Sequence, residues 1–500
     1  MENLSYKQAA RFLDLATMGI RAGEVEQLLE LDDRNVWLDN QINLAPTSHV
    51  ERLNYQLQER GQSQLTQEMR VCAWLDLTLW SQDQLRQRMA YALSQIVVVN
   101  DRDAQLSPYP DGLANYYDLL SEHAFSDYKT LLYHVTRSPI MGHFLTMVGN
   151  LPKAETGVNP DQNYARELMQ LFTIGLEELN PDGTPKLDAD SNPIPTYDDS
   201  DVENMARVFT GWFMTNGSMI EPMESDDVYH DQDEKHILGE TLPQGLTAEQ
   251  DLDAVLDLLV AHPNTAPFVS RLLIQRFVTS NPLPAYVERV AGVFTQSNGN
   301  LGEVIKAILL DPEVEAQNSV NKAKLREPIL AMTHFCRALD CKPGSNGKVT
   351  YDALLYRETF NQYPLGSPSV FNFYSPDYKP PGELANNNLA SPELEIIDWN
   401  QTIRMSNLAW KLVQDNGYKT GSNSKQELYP TISDFTNIAG DYAALSSLIC
   451  NRFFHGEMPI DLAPRLEALW NAKSTNNKPY AVAPMLYLAF VSADFMVQES

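Results

Sequence analysis

Ser81-Gln82-Asp83-Gln84-Leu85-Arg86-Gln87-Arg88-Met89-Ala90-Tyr91-Ala92-Leu93-Ser94-Gln95-Ile96 is the stretch that decides the fold class. Leu85, Met89, Ala92, Leu93 and Ile96 recur at three- and four-residue spacing, which puts them on one face of a helix. Arg86 and Arg88 fall elsewhere on its circumference. The same period returns along most of the chain. A first helix starts at Ser5, a good N-cap, with Ala9, Phe12, Leu13 and Ala16 on one side. Spacing predicts further helices near 108–122, 126–136, 161–178, 199–213, 247–261, 265–279, 284–296, 300–310, 322–339, 395–415, 440–454 and 482–497. The expected fold is mainly α, a large multi-helix assembly. No fixed-period repeat is present, so a solenoid is not supported.

Three stretches interrupt the helical pattern. Residues 180–198 set turn formers around short extended pieces and predict a small β-hairpin projecting from the helices. Residues 361–392 form a long loop rich in proline, glycine, asparagine and aromatic residues, and loops of that length are often functional. Residues 416–433 are polar and read as a surface connection. None is a Gly/Ser linker, so 1–500 reads as one continuous helical domain. Its sub-regions are N-terminal helices over 1–150, a centre with the hairpin over 151–245, and C-terminal helices over 246–500.

The chain carries 66 acidic and 37 basic residues, a formal charge of −29. A surface of that sign repels phosphate backbones and anionic lipid, which argues against nucleic-acid and membrane-surface partners. No uninterrupted apolar run reaches the roughly 18 residues of a membrane-spanning helix. The N-terminal Met-Glu-Asn-Leu-Ser-Tyr-Lys lacks the marks of a signal peptide. As given, the chain reads as cytoplasmic; a trimmed mature form would be periplasmic or extracellular. Cys72, Cys336, Cys341 and Cys450 are too scattered for a disulfide framework or a zinc ribbon. Cys336 and Cys341, five apart, could pair locally or stay as buried thiols.

Several residue sets could carry chemistry. Arg166 and Glu167 sit among Tyr164, Leu168, Leu171, Phe172, Ile174 and Leu176, and charges in an apolar helix need partners. Glu167 is a candidate general base or metal ligand, or half of a structural ion pair with its neighbours. His230-Asp231, with Lys235 close behind, suits proton transfer or divalent metal binding, or a hydrogen bond that fixes the loop. Asp188, Asp190 and Asn192 offer alternate oxygen ligands for calcium. However, Pro193 stands where a calcium loop needs glycine, and a hairpin turn explains the run more simply. Tyr363, Phe371, Phe373 and Tyr374, stiffened by prolines, could line a substrate groove for a sugar or peptide, or could pack the loop down. Phosphate-loop, Rossmann, zinc-protease and nucleophile-elbow patterns are absent.

The central residues carry a longer pattern. Asn163-Tyr164-Ala165-Arg166-Glu167-Leu168-Met169-Gln170-Leu171-Phe172-Thr173-Ile174-Gly175 opens it. Asp201-Val202-Glu203-Asn204-Met205-Ala206-Arg207-Val208-Phe209-Thr210-Gly211-Trp212 follows, then His230-Asp231, Lys235 and Leu238-Gly239. This resembles the bacterial family known as domain of unknown function 1800. Leu85 to Ala90, Phe268 to Leu273, and Lys324-Leu325-Arg326-Glu327-Pro328 extend the likeness over most of the chain. The resemblance implies no established activity. It implies an exported protein, and a sulfatase-like partner through the family's usual gene neighbourhood. Many members have a histidine in the 85–99 helix, where this chain reads Ala92-Leu93-Ser94-Gln95-Ile96. Two functions remain open. One is an enzyme, with a divalent metal as an open cofactor, using Glu167, His230 and Asp231 as acid, base or ligand and Arg166 or Lys235 for substrate charge. The other is a non-catalytic helical interaction protein in which those residues only hold the core.

Overall fold

The computed structural model describes residues 2–315, 323–343, 358–414, 418–419 and 426–499. The 81–96 stretch forms the helix Gln84–Leu93, and all ten of its residues are buried, Arg86 and Arg88 included. It is therefore a central helix with its charges turned inward. Those charges go to carbonyls at or just past the ends of other helices. Arg86 donates to the carbonyl oxygens of Ser121, Ile42 and Leu44, each at 2.9 Å, and lies 4.7 Å from the Phe125 ring. Arg88 donates to the Arg276 carbonyl and lies 4.4 Å from the Phe277 ring. A helix read only for its apolar face hides this second role.

The first helix is Tyr6–Ala16, and Ser5 caps it in a reciprocal box with Gln8. Most other expected helices form within a few residues of the spans read from spacing. Glu24–Leu31, Arg34–Ile42, His49–Arg60 and Gln67–Trp80 are helices the spacing did not single out. Gln67–Trp80 is buried on nearly every side, so no apolar stripe marks it. The expected 322–339 helix begins as a strand: Ala323–Leu325 pairs antiparallel with Val497–Glu499, and the helix Pro328–Ala338 opens on its proline. The expected 199–213 helix ends at Val208, and Trp212–Phe213 pairs with Glu224–Ser225. Lys235–Ile237 pairs with Glu240–Leu242. The polar 416–433 stretch includes Tyr418–Lys419 and Gln426–Tyr429, which join Lys342–Pro343 in a three-stranded sheet; residues 415–417 and 420–425 lie outside the described residues.

One contiguous set of buried apolar side chains runs from Ala9 to Phe495. Its two ends meet at Arg326. This guanidinium reaches Asp14 at 2.6 Å and the Phe495 carbonyl at 3.1 Å, so residues far apart in sequence share one buried cation. His334 completes the cluster, 2.9 Å from Asp14. Gly19 packs so closely there that a Cβ would stand 2.3 Å from the His334 Cα.

The 180–198 insertion is more elaborate than one hairpin. Glu178 and Thr196 donate to Ile194 and Leu176 to form a stem. Two tight turns stand on it, closed by the bridges Leu179–Pro185 and Leu187–Pro193. The 361–392 segment is pinned along its length. Asp101 donates to Leu365, Asn281 exchanges two bonds with Ala390, and Ser391 donates to Tyr378. Among the described residues no helix is long and apolar enough to cross a membrane. All four cysteines are buried free thiols, and burial beside Cys336 pushes the Cys341 thiol well up.

Acid sensitivity follows from the Arg326 cluster. Burial lowers His334 from its ordinary 6.5 to about 4, with Asp14 offsetting only part. The unfolded chain therefore takes up this proton first, so stability is full above about 6.5 and falls as pH drops toward about 4. Asp14 opposes its own burial through Arg326 and His334, and its carboxyl stays well below 3.8, so its contribution persists until the pH is lower still. Thermal melts between pH 7 and pH 4 should show a falling Tm that flattens in His334→Asn. Equal slopes in both proteins would place the acid sensitivity elsewhere.

Candidate functional site

The central 161–178 segment is not a continuous α-helix. An α-helical turn, Asn163–Glu167, runs directly into a π-helix, Leu168–Thr173. Ile174 and Gly175 both donate back to the Met169 carbonyl and close the wide turn. π-turns recur at functional sites because the extra residue re-aims its neighbours. Here the segment presents Gln170 and Leu171 to a cleft. Gly175 has φ +72°, and a Cβ there would stand 2.9 Å from the Phe268 ring, so glycine lets the chain turn against that ring. Beyond it Leu176 is exposed, against the expectation of a buried helical residue.

The cleft has a volume of about 680 Å³ and lies between this segment, the helix Thr265–Phe277 and the proline-aromatic loop. Phe371, Phe373 and Tyr374 line it, as does Phe268; Phe371 is 58% exposed and forms the lip. Tyr363 lies elsewhere. Its ring covers Gly366, where a Cβ would come within 2.1 Å of it, and its hydroxyl donates to Asp101 at 2.6 Å. Asp101 also binds Arg70 at 2.8 Å, so Tyr363 anchors the loop's start.

The floor of the cleft is a buried polar network that sequence reading did not find. Gln95, at the cleft wall, accepts from Asn372 at 3.1 Å and from the Tyr374 hydroxyl at 3.3 Å. Its amide donates at 3.0 Å to Glu327, which also accepts from Tyr91 at 2.8 Å and from Gln362. Glu327 is fully buried, which would raise its carboxyl. Lys324, Arg276 and Arg88 outweigh that, and it stays below the usual carboxylate range. Burial pushes the Tyr91 and Tyr374 hydroxyls well up. Lys324 pairs with Glu393, and both are buried. The one signal in the sequence was Gln95, a polar residue directly before the apolar run Ile96-Val97-Val98-Val99.

The expected site residues fall into separate places. His230 is buried; its Nδ1 faces the Thr210 carbonyl at 3.0 Å and its Nε2 faces Asp251 at 2.9 Å. Lys235 is also buried, 2.7 Å from Asp251, and donates to the carbonyls of Asp231 and Asp233. Asp231 turns the other way, into a two-pronged pair with Arg207 at 2.9 Å for each oxygen. That pairing and two nearby backbone and lysine contacts overcome partial burial and keep its carboxyl low. Asp251 is the partner sequence reading missed; it sits in the first turn of Ala248–Ala261. His230 and Asp231 line a second cleft of about 670 Å³, with Lys153, Glu203 and Arg207.

Glu167 is buried with one oxygen unpartnered, and burial raises its carboxyl against the pull of Arg166. Arg166 is half-buried and reaches Gln162 at 3.4 Å. Both lie near Tyr197, whose hydroxyl is pushed up mainly by burial, with Arg166 pulling it down and Glu167 pushing it up. Asp188 accepts from the backbone of Asp190 at 2.8 Å and of Asn192 at 2.9 Å, so this carboxylate closes its own turn. Among the described residues, no three His, Cys, Asp or Glu side chains gather in a way that could hold a metal ion.

A family model described as protein of unknown function (DUF1800) matches residues 11–497, nearly the whole chain. The chain belongs to this family. No curated protein and no solved structure matches it. The match spans the π-turn, the His230 cluster and the cleft floor alike.

Breaking a buried pair from one side typically costs about 3–5 kcal/mol. Lys235→Met leaves Asp251 with His230 alone, and a loss of that order is expected in denaturant melts. Lys235→Met combined with Asp251→Leu should recover part of it. A loss below about 1 kcal/mol in the single variant, the scale of a surface pair, would show that the pair does not hold this region together.

Proposed function

We propose that this protein binds a small organic ligand with an apolar or aromatic body in the cleft between the proline-aromatic loop and the helix Thr265–Phe277. The observation that carries the reading is the composition of that cleft. Its walls are aromatic and aliphatic, and its floor converges on a few amide, hydroxyl and guanidinium groups. Its volume of about 680 Å³ falls in the range of small-molecule sites. The loop forming one wall is tied to the core at Gln95, Glu327 and Asp101, so the walls are preorganised. Glu327, held ionised by its cations, acts as a fixed counter-charge rather than as a proton donor.

Phe371 offers the cleanest test because it is exposed and supports little of the core. Phe371→Ala should change stability by no more than about 0.5 kcal/mol, as exposed substitutions do. Aromatic fragments found by saturation-transfer NMR should lose about tenfold in affinity, the scale of one buried ring. Leu272→Trp, which fills the cleft, should abolish binding. Fragments that bind all three proteins equally would refute the reading.

A second reading keeps acid–base or metal chemistry at Glu167, His230 and Asp231. In its favour are the unpartnered Glu167 oxygen, with its raised carboxyl, and the polar cleft that His230 and Asp231 line. On this reading, mass spectrometry of chelator-free protein finds stoichiometric divalent metal that is lost in folded His230→Ala and Glu167→Gln. Wild-type protein that stays metal-free after incubation with divalent ions removes the metal form of it.

A further inference from the structure

We infer that the cleft is selective for a ligand bearing one negative charge, a carboxylate or a sulfate ester, and that Arg276 receives that group. The inference rests on the cleft being the ligand site. Arg276 ends the helix Thr265–Phe277 and is 4% exposed, yet it lines the cleft. Its Nε is buried without a hydrogen-bond partner. Its guanidinium lies 4.8 Å from the centre of the Tyr374 ring. A buried guanidinium N–H without an acceptor is costly, and five N–H donors in a planar fork suit a two-oxygen anion.

Charge balance points the same way. In the network beneath the cleft, Arg88, Arg276 and Lys324 face Glu327 and Glu393. Three cations against two carboxylates leave one positive charge over. Lys324 is matched by Glu393, and Arg88 donates to a carbonyl and stacks on Phe277. Arg88 and Arg276 share Glu327, and of the three cations Arg276 is the one that lines the cleft, so it is the one a ligand can reach. This local surplus is confined to the floor of the cleft, in a chain of net charge −29. The rim adds discrimination. Asp377 is paired with Arg271, but Glu177 and Glu395 also line the opening and oppose a second negative charge. A dianionic phosphate monoester is disfavoured for that reason. A ligand with its ring among Phe371, Phe373 and Phe268 and one oxyanion on Arg276 satisfies both the apolar walls and the orphaned donor.

Calorimetric titration at low salt with four probes sharing one ring tests this: benzyl alcohol, benzoate, phenyl sulfate and phenyl phosphate. Benzoate or phenyl sulfate is expected to bind at least tenfold more tightly than benzyl alcohol and than phenyl phosphate, and the tighter of the two identifies the oxyanion. In Arg276→Gln the preference over benzyl alcohol should vanish. If that variant does not fold, Arg276→Lys keeps the charge without the fork and should lose most of the preference. Equal binding of benzyl alcohol and the two monoanions overturns the charge inference while leaving the cleft as a ligand site. Binding of none of the four overturns both. A preference that survives in folded Arg276→Gln moves the anion away from Arg276 and also overturns the inference.

Discussion

Arg326 is the point where this fold is tied together. Its guanidinium holds Asp14 from the first helix and the Phe495 carbonyl from the last turn of the chain. Its neighbours in sequence do related work. Lys324 pairs with Glu393, beside the cleft, and Glu327 anchors Tyr91, Gln95 and Gln362. The run from Lys324 to Pro328 is extended before its helix begins, so successive side chains leave it in different directions. That backbone lets one short segment connect both chain ends and the floor of the cleft.

Buried ion pairs are a poor source of net stability, because desolvation offsets much of their attraction. Their abundance here is better understood as a constraint on arrangement. A helix packed only through leucines can slide or rotate at small cost. A helix such as Gln84–Leu93, whose arginines must reach particular carbonyls, has one acceptable position. The cleft inherits that precision, since Gln95 follows directly on that helix and touches both Asn372 and Glu327. The same reasoning applies to His230, whose two ring nitrogens each face an acceptor and whose partner Asp251 also takes Lys235. The fixed geometry at both places comes from charge, while the bulk of the burial comes from apolar packing.

Sequence reading recovered the helical class, because apolar spacing reports a face directed inward. It missed Gln67–Trp80, which is buried all round and has no such face. It left the aromatic loop open between lining a groove and packing down; Phe371, Phe373 and Tyr374 border a cleft, whereas Tyr363 packs beneath the loop. The floor of that groove was hidden for a physical reason. Arg88, Gln95, Arg276, Glu327 and Tyr374 come from four separate segments, and only folding makes them neighbours. Asp251 was missed likewise: on a helix of mixed polarity nothing separates an inward carboxylate from the outward Asp253 and Asp257, which serve Lys129. The π-turn leaves no trace in residue spacing, because one extra residue per turn barely alters the apolar pattern.

The projecting insertion at 176–196 raises a matter of how such molecules coexist at high concentration. Short extended segments at a surface usually offer unpaired N–H groups to a neighbour's backbone. In this insertion the bridge partners of Glu177, Leu179 and Leu187 are Pro195, Pro185 and Pro193. A proline has no N–H to give, so these segments are poor templates for a strand from another copy. The insertion, tied to the helices through Asn264 and packed on Val287 at Gly183, can therefore leave its second turn at the surface without nucleating intermolecular sheet, with little risk of self-polymerisation.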